Sequence, residues 1–136
     1  MAQGISMAKN KTYTKAEADA LPALTLAYIG DAVYEIAVRE RLLLGDHHKN
    51  GVLHKKCTAF VSAHAQSEFV GLFEDILTDD ERRVYGRGRN AKLPTGKKND
   101  PINHCRATGF EALIGYLYLT DQNARLDELL NIIFQE

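Results

Sequence analysis

The chain has no apolar run approaching the ~18 residues that a membrane-spanning helix needs. Its N-terminus also lacks the apolar core of a secretory signal. Both absences point to a soluble, cytoplasmic protein with no membrane partner. Only two cysteines are present, Cys57 and Cys105, far apart in sequence. They suggest neither a disulfide scaffold nor the spacing of a zinc site, and both are expected to be reduced packing residues. There is no internal repeat, no low-complexity tract and no convincing period-2 strand, so the expected fold is all-α. A formal net charge of only −1 argues, taken alone, against a nucleic-acid binder.

At 136 residues, the chain is long enough for one domain with a real core. Residues 1–12 carry no pattern and are expected to form a flexible N-terminal segment, with Met7 a second candidate start. Residues 13–136 are expected to form a single domain of about six or seven helices. Thr14-Lys15-Ala16-Glu17 and Thr78-Asp79-Asp80-Glu81 each read as a capping box that opens a helix. Pro22 precedes a long helix reaching about Leu44, with Gly45 as its stop. Asn50 begins another, and Ser62 caps the next, whose apolar side holds Ala65, Phe69, Leu72, Phe73 and Ile76. Ala91 to Asn103, with Pro94, Gly96 and Pro101, reads as a loop. A helix to about Leu119 follows, and a last one ends near Phe134.

Two acids stand inside apolar helices. Asp31 lies within Leu26-Ala27-Tyr28-Ile29-Gly30-Asp31-Ala32-Val33, and Glu111 within Phe110-Glu111-Ala112-Leu113-Ile114-Gly115. Acids are almost never fully buried unless paired or bound to a metal, and hard oxygen donors suit Mg²⁺. At 100° per residue, Leu24, Ala27, Asp31, Glu35, Val38 and Leu42 share one stripe. Asp31 and Glu35 are i,i+4 like charges in its middle, which repel unless something offsets them. That something is a cation, a basic side chain, or solvent at a cleft; one alternative pairs Asp31 with a buried Arg and sends Glu35 to solvent. Around Glu111 the helix carries small residues, which leaves room for an ion or for a close helix crossing at Gly115.

Charge is also unevenly distributed. Between Arg82 and Arg106 the bases are Arg82, Arg83, Arg87, Arg89, Lys92, Lys97, Lys98 and Arg106, against one acid, Asp100. Such a segment is either an electrostatic footprint for phosphate or a solvated basic loop.

The two acidic motifs, in this order, resemble the ribonuclease III family, and most closely its short bacterial Mini-III branch. Three more segments carry the resemblance: His54-Lys55-Lys56 with Val61-Ser62-Ala63, then Arg87-Gly88-Arg89-Asn90-Ala91-Lys92, then Arg106-Ala107-Thr108. The likeness spans about residues 20 to 120. It implies an all-α, ribonuclease III-like endonuclease domain acting as a homodimer on double-stranded or structured RNA. It further implies phosphodiester hydrolysis to 5′-phosphate and 3′-hydroxyl ends, and maturation of a large-subunit ribosomal RNA precursor. Asp31 and Glu111 are then the catalytic and Mg²⁺-binding acids, with Mn²⁺ as a substitute ion. Larger relatives add an acid where this chain has Ala27 and another where it has Thr108. Water or Glu35 would fill those coordination positions.

The chain ends soon after its last helix, so the separate double-stranded-RNA-binding domain of larger relatives is not expected here. Lys55, Lys56, Arg87, Arg89, Asn90, Lys92, Lys97 and Lys98 are the candidate RNA contacts, and a ribosomal protein is a candidate accessory partner. The dimer interface is expected on the helix surface around Tyr28, Ile29 and Val33. The competing readings are an RNA-binding dimer of the same fold that has lost cleavage, and an all-α protein-interaction domain.

Overall fold

The computed structural model describes residues 9–46, 48–91 and 101–135. Helices start where side chains satisfy the free N–H groups of a first turn. In α1 (Lys15–Asp19), the Thr14 hydroxyl accepts from the Glu17 N–H at 3.1 Å and the Glu17 carboxylate accepts from the Thr14 N–H at 3.0 Å. The same reciprocal box, Thr78 with Glu81, opens α5 (Asp79–Arg89). Pro22 precedes α2 (Ala23–Leu42). Next come α3 (Asn50–Val61) and α4 (Ala63–Phe73), with the Ser62 hydroxyl accepting from the Ala65 N–H at 3.2 Å. A short 3₁₀ turn, Glu74–Ile76, precedes α5. The chain finishes with α6 (Pro101–Leu119) and α7 (Asn123–Phe134). Seven α-helices and no strand are present among the described residues, as the all-α expectation required. None of these helices is long and apolar enough to cross a membrane.

The core is built round α6. From Ala107 to Leu119 every residue except Glu111 is buried. A helix that is apolar on all sides has to be surrounded, and α2, α4, α5 and α7 pack against it. Phe110 sits at the centre, edge-on to Tyr34 of α2 at 4.8 Å between ring centroids and stacked on Phe73 of α4 at 6.2 Å. The Tyr34 hydroxyl donates to the Phe60 carbonyl at 2.8 Å, so this buried phenol is satisfied. α7 closes the core with Leu126, Leu129, Leu130 and Ile133, the inward set its periodicity predicts.

Two expected faces differ. Leu72 and Ile76 are 41% and 45% exposed. Ala65 and Phe73 are buried as expected, joined by Gln66, Ser67 and Val70, and the helix has given way to the 3₁₀ turn before Ile76. In α2 the buried residues are Leu26, Ala27, Gly30, Val33, Tyr34, Ala37 and Val38. Their arc is centred roughly 100° round the helix from the stripe that holds Asp31 and Glu35. The acids therefore lie along the boundary between core and solvent. Asp31 is exposed and Glu35 half-buried.

The α6–α7 turn is closed by Asp121 in the left-handed region, at φ 55°. Gln122 N–H donates to the Leu117 carbonyl at 2.9 Å and Asp121 N–H to that of Tyr118 at 3.2 Å, the paired bonds of a Schellman ending. The Asp121 carboxylate is held by Lys9 and by the Thr12 hydroxyl at 2.6 Å. Tyr13 N–H donates to the Leu119 carbonyl at 2.9 Å, so residues 9–13 are tied to the end of α6.

Candidate active site

α2 and α6 cross backbone to backbone. A Cβ on Gly30 would fall 1.7 Å from the Glu111 carbonyl oxygen, and one on Gly115 2.0 Å from that of Leu26. No side chain fits either gap, so glycine at both positions lets the helices approach this closely. Asp31 directly follows Gly30, and Glu111 stands one turn before Gly115. The crossing thus brings the two acids together, and the close-approach role considered for Gly115 is compatible with a site beside it.

Glu111 is only partly buried, the one interruption in the buried run of α6. Burial first, and then the neighbouring Asp31 carboxylate within hydrogen-bonding reach, push its pKa up to about 7. One group works against both. Gln66 Nε2 donates to Glu111 Oε2 at 3.3 Å and favours the charged form. No Lys, Arg or His among the described residues forms an ion pair with either acid. Two adjoining carboxylates without a positive partner among the described residues, one of them open to solvent, form a donor set suited to a hard divalent cation.

Glu35 does not join them. Its Oε2 accepts from Arg39 Nη2 one turn along the helix, so the basic side chain weighed for Asp31 is found on Glu35 instead. Among the described residues no group of three or more His, Cys, Asp or Glu gathers to hold a metal. Among the described residues the acids that come together here are two, Asp31 and Glu111.

The candidate RNA-binding residues divide. Lys55 and Lys56 are exposed on α3, and Arg89 and Asn90 are exposed at the end of α5. Arg89 lies over the Tyr85 ring at 5.7 Å. Arg87 is anchored: its Nη2 donates to the Leu21 carbonyl at 2.8 Å and its Nη1 lies 4.0 Å from Asp19. Arg82 donates to the carbonyls of Glu74 and Leu77, both at 3.0 Å, and Arg83 pairs with Asp19 and Asp80. These three arginines of the basic segment hold the fold together. Lys92, Lys97 and Lys98 lie outside the described residues.

The expected interface residues divide as well. Tyr28 is 78% exposed, whereas Val33 is 3% exposed and belongs to the core. Five residues along a helix turn through about 140°, so the two cannot share a face. Gln66 was not singled out by sequence reasoning. Its signal was an amide on the inward face of α4, three and seven residues before Phe69 and Phe73.

Residues 24–122 match the model of the ribonuclease III domain. The chain belongs to the ribonuclease III family. Membership makes it an endoribonuclease, and the Gly30–Gly115 crossing with both acids falls inside the matched span. Within the ribonuclease III family its relatives are of the Mini-III kind, as the motifs implied. The chain is 48% identical over 114 residues to Mini-ribonuclease 3 of Enterococcus faecalis, covering 82% of this chain and 86% of that one. It is 43% identical over 123 residues to Mini-ribonuclease 3 of Clostridium tetani, covering 89% and 82%. A crystal structure of a Fusobacterium nucleatum protein matches the fold with a TM-score of 0.76 at 26% identity, covering 84% of this chain and 93% of that one.

Proposed function

We propose that this ribonuclease III-family enzyme hydrolyses double-stranded regions of structured RNA with Mg²⁺, its natural substrate being a large-subunit ribosomal RNA precursor in the cytoplasm. The observation that supports this best is the Asp31–Glu111 pair, two adjoining carboxylates with no basic partner among the described residues. Asp31 and Glu111 would hold the ion, Mg²⁺ or Mn²⁺ in its place. Such an ion supplies Lewis-acid stabilisation of a phosphodiester and a more acidic water, the chemistry that leaves 5′-phosphate and 3′-hydroxyl ends. Asp31, exposed, faces the solvent side from which a duplex approaches, while Glu111 anchors the pair to the core.

A-form RNA is read by shape and backbone rather than base edges, so exposed bases such as Lys55, Lys56 and Arg89 suffice as contacts. Two copies related by a two-fold axis would match the two strands of a duplex. Tyr28, 78% exposed on α2, is a candidate contact for that dimer.

The test is a duplex-cleavage assay with Mg²⁺ and with a chelator. Asp31→Asn and Glu111→Gln should each lower the rate on the order of a hundredfold or more while RNA binding persists. Near-parental rates in either variant would sink the assignment. A parent protein that shifts duplex RNA but never yields product would be the non-cleaving dimer of the same fold.

A further inference from the structure

We propose that Gln66 is a positioning residue for the reaction: its buried side-chain amide holds the Glu111 carboxylate beside Asp31, ready to bind a divalent cation. The assignment rests on the metal reading of the Asp31–Glu111 pair.

Gln66 is 1% exposed. Its Nε2 donates twice, to the Val61 carbonyl at 2.9 Å and to Glu111 Oε2 at 3.3 Å. Val61 ends α3, so its carbonyl has no following turn of its own helix to bond. A carbonyl only accepts, so the NH₂ end of the amide must face it, and this fixes which way the amide points. The second N–H is then a preset donor aimed at Glu111.

The other end of the amide is more telling. Gln66 Oε1 is buried with no hydrogen-bond partner among the described residues. A buried acceptor left unpaired is costly, and an apolar side chain of the same length would avoid that cost. Packing alone therefore does not account for glutamine here, whereas the two donated bonds do. The side chain is also rigidly based. Val70 and Phe73, on the same face of α4, are fully buried in the core. A polar group locked in this way, one bond removed from an ion, sets the orientation of the ligand that holds it.

Two variants test the assignment in the full-length protein. Gln66→Met keeps length and burial but cannot donate. Gln66→Asn keeps the amide but is a methylene too short to reach Val61 and Glu111 together. Mn²⁺ binding without RNA, followed by electron paramagnetic resonance, should weaken about 10–100-fold in both. The single-turnover rate at saturating RNA should fall, while duplex-RNA affinity and the thermal midpoint stay near the parent values. Folded variants with parental Mn²⁺ affinity and rate would overturn the proposal. Loss of folding in both would also overturn it, because Gln66 would then be a structural residue. Glu111→Gln serves as the control. If it binds Mn²⁺ and cuts like the parent, the metal reading itself fails. If it is inactive while the Gln66 variants behave as the parent, only the role of Gln66 falls.

Discussion

Gly30 and Gly115 face each other across the α2–α6 crossing, each against the backbone of the opposing helix. Gly30→Ala or Gly115→Ala would drive a methyl group into a carbonyl that cannot move without its helix. We expect a loss of about 3 kcal/mol or more, at or above the usual range for overpacking. Urea titration measures it. Whatever protein still folds should cut RNA more slowly than its folded fraction explains, because Asp31 and Glu111 ride on the two helices that are pushed apart. A variant with parental stability would show that the two backbones are not in contact at the crossing.

The raised pKa of Glu111 makes stability depend on pH. Its folded value of about 7 lies above the ordinary 4.5, so the folded state binds the proton more tightly. Without divalent ions, stability should therefore fall as pH rises from about 4.5 to about 7, by on the order of a few kcal/mol from this group. Glu111→Gln removes that dependence. It should be more stable than the parent at pH 8 and no more stable at pH 4, and added Mg²⁺ should stabilise the parent more than the variant. Thermal melts across that range check the sign, and parallel profiles for the two proteins would refute it.

Glu81 and Arg125 clamp α5 to α7. Glu81 is 3% exposed, accepts the Thr78 N–H at 2.9 Å, and takes two bonds of 2.8 Å from Arg125, which also reaches the Ile76 carbonyl at 2.6 Å. Burial pushes its carboxyl up, but Arg125 and the Thr78 N–H outweigh this and hold the pKa below the usual value. Its stabilisation is present above the unfolded pKa and lost as pH falls through the folded one. Arg125→Met leaves the acid buried without its partner and should cost about 3–5 kcal/mol. Denaturant unfolding at pH 7 tests this. A cost under about 1 kcal/mol, the level of a surface pair, would mean that the clamp is solvated.

The candidate RNA-binding bases should govern affinity rather than chemistry. Neutralising Arg89, Lys92, Lys97 and Lys98 together should weaken duplex-RNA binding and flatten its salt dependence. On the B-DNA rule the slope should drop by roughly 0.9 for each phosphate no longer neutralised. Single-turnover cleavage at saturating RNA should fall far less. Arg87→Ala is the contrasting variant: it should lower stability by removing the bond to Leu21 and leave the salt slope in place. An unchanged slope in the fourfold variant would move the recognition face to Lys55 and Lys56.

Local signals were legible wherever a few adjacent residues decide the structure. Both capping boxes and the Ser62 cap stand where Thr14, Thr78 and Ser62 announce them. The acids in apolar helices marked the candidate site, and the ordered motifs marked the family. Faces were less legible. The stripe through Asp31 and Glu35 is a valid helical stripe, but periodicity does not say which stripe meets the core. Arg39 reaching Glu35, and Arg87 anchored on Leu21, follow from the final positions of neighbours.

By itself, then, the sequence determined the helices, their beginnings, the inward set of α7, and the presence of two acids that need a reason to sit where they do. Those are matters of capping chemistry and of 3.6-residue periodicity, which act within a few residues. Only the tertiary structure decided that the acids meet, since Asp31 and Glu111 belong to helices far apart in sequence, brought together where Gly30 and Gly115 permit backbone contact. It also decided that an amide from a third helix, Gln66, bonds to one of them. Close approach and donor direction depend on how whole helices pack, and no short stretch of chain encodes that.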